Sequence, residues 1–357
     1  ILLEKEIKLV KDSHQIIVSN SITNNGKDDI YVRNYEIISR DGNNTASLML
    51  PTYTGSAYYD SNDKFSKISF DDMLESEQTI NAQDSWISMI EHYFFSAWLP
   101  TTSTTKTIYT NHENGIFTIG STTPYQIIRP GQKHDFKSVM FVGPKLQSEI
   151  STLANGLDLT VDYGVLTFLS APLFWILDLI YAAFGNWGVS IIILTILIKA
   201  LFFKLSETSY RSMAQMKKLN PRMQALKERY AEDKKKFSEA LMRMYKEEKV
   251  NPLGGCLPIL IQIPVFIALY WVLVESVEMR QAPFVGWIND LASADPYFIL
   301  PIAMGISMYI QQKLTPAPTD ATQQKIFLFL PFIFTALFAT FPSGLVLYWL
   351  TNNILSI

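Results

Sequence analysis

The sequence predicts an extracytoplasmic all-β, sandwich-like domain over residues 1–160 and an α-helical polytopic membrane domain over residues 161–357. The division rests on a change in amino-acid composition near residue 160. Up to Thr160 the chain is polar, with 13 basic and 19 acidic residues, whereas from Val161 onward it has 17 basic and 14 acidic residues and several long apolar runs. A length of 357 residues is sufficient for two domains.

Short β-branched and aromatic runs recur through the polar part, between breaks rich in Asn, Asp and Gly. This pattern is typical of an antiparallel sandwich. The predicted strands lie around residues 7–10, 15–19, 30–32, 35–38, 107–109, 116–119 and 139–142. The four histidines lack metal-ligand spacing, the carboxylates are scattered, and Cys256 is the only cysteine. We therefore expect a contact domain that is not an enzyme and holds no metal, cofactor or disulfide.

The chain starts at Ile1 without a basic n-region or an apolar h-region. An extracytoplasmic domain needs an export signal, and Leu2 and Leu3 already have strand character. We therefore expect that a first membrane span and part of the β domain precede Ile1.

The membrane part begins with residues 163–185, which are long enough to span a bilayer. Pro172 and Asp178 interrupt this run and aromatic residues recur along it, which favours an interfacial helix over a span. Five runs near the ~20 residues that a span needs follow. They are residues 187–205, 257–275, 297–313, 326–341 and 343–357, and the last two are expected to form a hairpin.

The loop after the first span sets the orientation. Residues 204–249 carry 13 basic and 7 acidic residues, so the positive-inside rule places this loop in the cytoplasm and residues 1–160 outside. Asn220 is a good helix N-cap, Pro221 suits a first helical position, and a break is expected near residues 231–233. We expect a cytoplasmic helical hairpin over residues 206–250 that contacts anionic lipid, which we favour over RNA.

Lys199 interrupts the apolar run of the first span. A charge within a span usually faces a protein or water-filled interior. The alternative is that its long stem reaches the cytoplasmic headgroups, since Lys199 lies only about 7.5 Å along a helix from Lys204. Thr195 lies four residues earlier on the same face, which favours a polar stripe. Further polar residues lie in the other spans: Gln262, Ser307, Gln311, Gln312, Thr335, Thr351, Asn352 and Asn353.

Several ordered motifs resemble the YidC family of bacterial membrane protein insertases, in its Gram-negative form. They are Gly185–Gly188, Lys249–Pro258, Gln262–Phe266, Arg280–Phe284, Asp295–Tyr297, Gln323–Lys325 and Phe341–Tyr348, with Tyr93–Trp98 and Leu157–Gly164 in the polar domain. The resemblance implies a periplasmic β-supersandwich and five core spans around a hydrophilic groove open to cytoplasm and lipid. It also implies that the family's C-terminal basic tail, linked to ribosome contact, is missing here.

The resemblance assigns roles to single residues. Lys199 matches the positive charge of the groove, which is usually arginine, so the charge is kept while the bidentate fork is lost. Thr195 matches the groove threonine, and Ile263, Pro264 and Phe266 match the substrate path. With the polar residues of the spans, the predicted groove set is Lys199, Thr195, Gln262, Ser307, Gln311, Thr335, Tyr348, Trp349 and Asn352.

The sequence therefore predicts an insertase and chaperone of the bacterial inner membrane, acting on nascent membrane proteins alone or with the Sec translocon, and with ribosome contact as a further expectation. The alternative is a secondary transporter or channel, which would show inverted repeats that this sequence lacks. A membrane-anchored scaffold would leave the polar stripe unexplained. A membrane enzyme would need a nucleophile–base pair or a metal cluster.

Overall fold

A computed structural model of the chain describes residues 1–43, 52–101, 105–230, 233–248, 257–314 and 321–357. The chain forms two compact units: Ile1–Asp162 with Glu275–Val277, and Tyr163–Val274 with Glu278–Ile357. The first unit is rich in strands and the second is helical. The coarse prediction of a β part followed by a helical part is confirmed.

The first unit contains thirteen described strands and two short helices. The strands are β1 (Leu2–Leu9), β2 (Gln15–Thr23), β3 (Ile30–Val32), β4 (Tyr35–Asp41), β5 (Gly55–Asp60), β6 (Lys64–Ile68), β7 (Thr79–Gln83), β8 (Trp86–Ile90), β9 (Phe94–Leu99), β10 (Thr105–Glu113), β11 (Ile116–Thr122), β12 (Gln126–Ile128) and β13 (Lys133–Pro144). The helices are α1 (Phe70–Glu75) and α2 (Gln147–Ile150).

These strands form antiparallel sheets. A seven-stranded sheet has the order β1-β2-β13-β9-β8-β5-β6, a four-stranded sheet has the order β4-β11-β10-β7, and β12 pairs with β3. A buried apolar cluster contains residues of both large sheets, such as Met89 of β8 and Ile108 of β10. The unit is thus a sandwich whose alternating side chains fill the layer between two sheets.

A polar network crosses this apolar layer. The Lys106 ammonium of β10 lies 2.7 Å from a Glu36 carboxylate oxygen of β4, and both side chains are buried. The hydroxyls of Ser121 and Ser138 also donate to Glu36, at 2.9 and 2.7 Å. Ser138 belongs to the seven-stranded sheet, so Glu36 links the two sheets. A fully bonded buried network of this kind offsets the cost of burying the charges.

The second unit contains eight helices among its described residues. They are α3 (Thr167–Phe184), α4 (Trp187–Leu201), α5 (Phe203–Arg229), α6 (Lys234–Glu247), α7 (Leu257–Glu275), α8 (Ile299–Leu314), α9 (Ala321–Phe338) and α10 (Ser343–Ile354). The 3-10 turn Gly164–Leu166 precedes α3. Helix α10 packs against α4 and α8, helix α9 packs against α8, and helix α3 packs against α4.

The bounds of two predicted segments are corrected. The first predicted span was expected to reach residue 205, but α4 ends at Leu201 and α5 continues at an angle of 60°. A helix was expected to begin at Pro221, but α5 runs through this proline. Pro221 is exposed, so its ring lies away from the packed side of the helix.

Helices α5 and α6 pack together through Leu219 and Met244, with Met223, Leu226, Leu241 and Tyr245 around them. The Asp233 side chain caps α6 by accepting from the Lys236 amide. Arg222 lies seven residues before the end of α5 and pairs with Glu248, which follows the last residue of α6 and so lies far from the connection between the helices. This pairing makes the two helices antiparallel. Of the expected hairpin and its break, residues 231–232 and 249–250 lie outside the described residues.

The last two helices are joined by a short connection, as predicted, but their backbones do not lie side by side. Helix α9 contacts α10 through aromatic rings, since the Trp349 ring centroid lies 5.2 Å from that of Phe338 and 5.8 Å from that of Phe334.

By length and composition, one helix of the described chain, Gly164–Phe184, is long and apolar enough to cross a membrane. The bent pair Trp187–Leu201 and Phe203–Ser209 would qualify as one broken span, whereas Gln262–Glu275 and Phe327–Phe338 are shorter apolar helices. Helix Gly164–Phe184 is the segment that the sequence predicts to lie at the membrane interface, because Pro172 and Asp178 interrupt its apolar run. Its length therefore suits a span as well as an interface.

Candidate functional site

The polar residues predicted for the helical unit converge on α10. Three hydrogen bonds between side chains join α10 and the turn directly after it to three different helices: Lys199 of α4 to Ser356 of that turn, Gln262 of α7 to Tyr348, and Asn353 to Ser307 of α8. Helix α10 is thus the common partner, which the sequence does not reveal because each contact is tertiary.

Lys199 lies near the end of α4, where a long side chain has a choice of partners. Its ammonium donates to the Ser356 hydroxyl at 2.7 Å, and that hydroxyl donates in turn to the Asn352 carbonyl at 2.6 Å. The lysine side chain is half-buried. The Thr195 hydroxyl instead donates to the Ile191 carbonyl of its own helix at 2.6 Å, so the expected stripe does not form a direct Thr195–Lys199 contact. The ammonium is held instead by the turn that follows α10.

A cavity of about 900 Å³ opens beside Lys199. Its polar lining includes Ser356 and the ion pair between Arg211 and Glu207, whose nitrogen and oxygen lie 2.7 Å apart. Its apolar lining comes from all three contributing helical segments: Ile196, Ala200, Phe203, Ala214, Leu355 and Ile357. A cavity of this size holds many water molecules, and the ammonium at its wall gives it a positive side.

Tyr348 and Gln262 join α10 to α7. The tyrosine is buried, and its hydroxyl accepts a hydrogen bond of 2.7 Å from the Gln262 amide. The phenol oxygen and the amide therefore satisfy each other within an apolar surrounding.

An aromatic cluster surrounds Trp349 one residue further along α10. Phe266 of α7 meets the indole edge-to-face, with centroids 4.7 Å apart and planes at 88°. Phe334 and Phe338 of α9 cover it from another side. Two polar atoms in this region, Trp349 Nε1 and Asn352 Oδ1, are buried and have no hydrogen-bond partner within the part of the chain that the structure describes. Such atoms are rare, because burying an unpaired polar atom is costly.

The remaining predicted groove residues lie on α8 and α9. The Ser307 hydroxyl accepts from Asn353 at 3.1 Å and donates to the Met304 carbonyl. The Thr335 hydroxyl donates to the Pro331 carbonyl of its own helix and lies against Gly305, where an added Cβ would come within 1.9 Å of it. The α8–α9 approach therefore needs glycine at 305. Gln311 is half-buried near the end of α8.

The predicted substrate-path residues lie on one stretch of α7 but face in two directions. Ile263 and Pro264 are exposed, whereas Phe266 is half-buried and turns toward α10. Helix α9 exposes large apolar side chains in the same way, including Phe329 and Phe332. These helices therefore present apolar surface outward and aromatic rings inward.

The loop between α7 and α8 is fixed mainly by residues of the quoted motifs to which the sequence assigned no structural role. The buried Asp295 carboxylate accepts from the Trp287 indole at 2.9 Å and from the Leu300 amide at 2.7 Å at the start of α8. Ser343 at the start of α10 donates to the Ser293 carbonyl through both its amide and its hydroxyl. Asn186 caps α4 and donates to the Phe284 carbonyl. One loop thus ties the same ends of three helices together. Asp and Ser beside helix starts were the available signal.

Comparison with known proteins gives the family. The 60Kd inner membrane protein family matches residues 179–357, and the YidC periplasmic domain matches residues 1–176. The membrane protein insertase YidC of Methylobacillus flagellatus is 51% identical over 352 residues, covering 97% of this chain and 63% of that protein. Those of Alkalilimnicola ehrlichii and Legionella pneumophila strain Corby are 50% identical, covering 97% and 99% of this chain and 62% and 65% of theirs.

A solved structure titled "Active YidC insertase crystal structure with the first transmembrane domain resolved" covers 98% of this chain and 93% of its own, at 19% identity and a TM-score of 0.48. The chain spans less than two thirds of the length of the curated relatives it matches first. The curated relatives are nonetheless about 50% identical to this chain over nearly all of its length, and both family models match it. The chain therefore belongs to the YidC family of inner membrane proteins.

Proposed function

We propose that this chain is the working part of an insertase and chaperone that moves the short polar tail of a nascent membrane protein across the hydrocarbon core. One observation carries the proposal: the Lys199 ammonium is held by Ser356 at the wall of a cavity of about 900 Å³. Relatives named insertase and identical at about half of the positions support it.

The physical problem is the cost of taking polar groups through lipid, which is several kcal/mol for each unsatisfied group. A water-filled cavity that reaches partway across shortens the dry distance. The Lys199 ammonium attracts acidic residues of the incoming tail, and this electrostatic attraction stabilises the tail in the cavity before it crosses. The apolar segment that follows then partitions into lipid at about 25 cal/mol for each Å² of apolar surface buried, so no covalent chemistry is required.

In this proposal the groove comprises Lys199 with the polar residues around α10, and the nascent helix leaves along α7 and α9. The exposed apolar side chains of these two helices, such as Ile263 and Phe329, suit contact with an apolar segment. Helices α4, α7, α8, α9 and α10 are the five spans, and α3 lies at the outer interface. The first unit is periplasmic and the antiparallel α5–α6 pair is cytoplasmic, following the positive-inside rule.

The same proposal covers the partners. Exposed cations on α6, among them Lys235, Lys236 and Arg243, suit anionic lipid headgroups. Cooperation with the Sec translocon, chaperone activity and ribosome contact are carried over from the family resemblance. Each requires its own measurement.

The proposal is tested by photocrosslinking from the full-length protein to a ribosome-bound nascent chain with an acidic tail. A photoreactive amino acid at Gln262 is compared with one at Ile302, an exposed residue of α8. We expect adducts with the tail from position 262, and a much weaker signal from position 302. Equal labelling from both positions would show that the tail does not pass along α10.

A further inference from the structure

The two unpaired atoms near α10 are a donor and an acceptor on neighbouring turns of one helix. Trp349 Nε1 can only donate and Asn352 Oδ1 can only accept. Residues three apart on a helix are surface neighbours, with Cβ atoms about 5–6 Å apart. Neither atom has a hydrogen-bond partner among the described residues.

Together, the Trp349 donor and the Asn352 acceptor could bond the C=O and the N–H of a peptide backbone. In an extended chain one residue directs its own N–H and C=O to the same side, and an antiparallel partner bonds both of them. An indole N–H beside an amide oxygen offers the same two bonds without a second strand. Every residue except proline carries both backbone groups, so such a site would bind extended chain of any sequence.

We propose that Trp349 and Asn352 bind the main chain of the polar tail in transit. The indole N–H of Trp349 donates to a tail carbonyl, and the side-chain oxygen Oδ1 of Asn352 accepts from a tail N–H. This inference rests on the proposed function, and it adds a recognition element that does not read side chains. Lys199 then senses the charge of the tail, while the pair on α10 holds its backbone.

Three aromatic rings cover the indole of Trp349. Phe266 of α7 and Phe334 and Phe338 of α9 lie against the indole at centroid distances of 4.7, 5.8 and 5.2 Å. Phe266 lies two residues after Pro264, and Phe334 lies three residues after Pro331; both prolines are inside their helices. A helix-interior proline removes a backbone hydrogen bond and is the usual place for a helix to bend. Bending at these prolines would move the rings away from α10 and expose the indole N–H of Trp349.

The neighbouring polar residues of α10 cannot take this role, because each already has a partner. The Tyr348 hydroxyl is bonded to Gln262, and the Asn353 amide is bonded to Ser307. Ser356 holds Lys199.

The test uses the full-length protein in liposomes, with insertion of a single-span substrate followed by protease protection. The variants are Trp349→Phe, which keeps a ring but removes the N–H, Asn352→Leu, which removes the acceptor, and Asn352→Ser, which retains one. Trp175→Phe on the exposed face of α3 is the matched control for loss of an indole N–H. Thermal unfolding of each variant checks that it is folded.

We expect Trp349→Phe and Asn352→Leu each to slow insertion roughly three- to tenfold, as loss of one hydrogen bond would. Asn352→Ser should restore most of the rate, and Trp175→Phe should match the parent. The loss should be equal for tails rich in Ser, Asn or Gly. A tail of successive prolines keeps its carbonyls but has no N–H groups, so it should insert more slowly in the parent. On this tail Asn352→Leu should cause no further loss, whereas Trp349→Phe should still slow insertion.

Two results would overturn the inference: parent-like rates of the double variant on all tails, or losses that follow the side chains of the tail. If the parent itself inserts no faster than empty liposomes, the proposed function fails instead. The two failures are therefore distinguishable.

Discussion

The Lys199 ammonium lies 2.7 Å from the Ser356 hydroxyl, so the cation of α4 is anchored to the turn that follows α10. The Ser356 hydroxyl donates a hydrogen bond of 2.6 Å to the Asn352 backbone carbonyl, which leaves its lone pairs free to accept from the lysine. A lysine without this contact would be free to extend toward the cytoplasmic headgroups. The serine therefore decides where the charge sits.

The first prediction concerns Ser356. Ser356→Ala should lower insertion of acidic-tailed substrates by about tenfold or more, since a hydrogen bond to a charged group is worth about 1.5–3 kcal/mol, and Ser356→Thr should retain insertion. Insertion of a substrate with a neutral tail should change little. Lys199→Arg should also retain activity, whereas efficient insertion of acidic tails by Lys199→Glu would contradict the electrostatic role.

The second prediction concerns the bond between Tyr348 and Gln262. Gln262→Leu leaves the buried tyrosine hydroxyl without its donor, which should cost about 1–3 kcal/mol of stability, whereas the double change with Tyr348→Phe should recover most of it. Thermal unfolding of the detergent-solubilised protein measures this cycle. Additive losses in the double variant would mean that the two side chains do not act as a pair.

The sequence predicts Lys199 because a charge in an apolar run is locally visible, but nothing local indicates Ser356, 157 positions later. The same holds in the β part. Strands β5 and β8 were not predicted. Both are buried on both faces and include small buried residues such as Ala57 of β5 and Ser88 of β8, so their sequences lack the alternation of apolar and polar side chains that marks a half-buried strand. The helix start expected at Pro221 failed because an exposed proline is accommodated within the longer α5.

The third prediction concerns the buried pair of Lys106 and Glu36, which no sequence pattern revealed. Lys106→Met leaves a buried carboxylate without its cation and should cost about 3–5 kcal/mol, and adding Glu36→Gln should recover much of that loss. Hydrogen exchange of the β4 and β10 amides reports the local free energy of opening. Equal exchange in the parent and in Lys106→Met would show that Ser121 and Ser138 alone satisfy the carboxylate.

The fourth prediction concerns orientation. Lys235 is exposed on α6, so a cysteine there is accessible to reagents on whichever side this helix lies. In a Cys256→Ser background, Lys235→Cys should react with a membrane-impermeant maleimide only after the inner membrane is breached. Labelling of spheroplasts with an intact inner membrane would place the α5–α6 pair in the periplasm and reverse the topology.

The last prediction separates the two units. Deleting residues 1–150 while retaining an anchoring span should leave basic insertion largely intact, because Lys199, its cavity and all the polar contacts of α10 belong to the helical unit. Deleting residues 163–184 should do more harm. Helix α3 packs within the helical unit: the Ser170 hydroxyl donates to the Ala268 carbonyl of α7 at 3.1 Å, and Tyr181 stacks on Trp187 of α4 at 4.1 Å.

The comparison is reconstituted insertion of one small single-span substrate by the two deletion variants at equal protein levels. Trp175→Ala, which truncates an exposed ring of α3 without touching its packed face, is the matched control for the helix deletion. Loss of insertion on removing residues 1–150 from a protein whose helical unit remains folded would mean that the periplasmic domain acts on the substrate directly. If the variant without residues 1–150 retains insertion and the variant without α3 loses it, the helices around α10 carry out insertion.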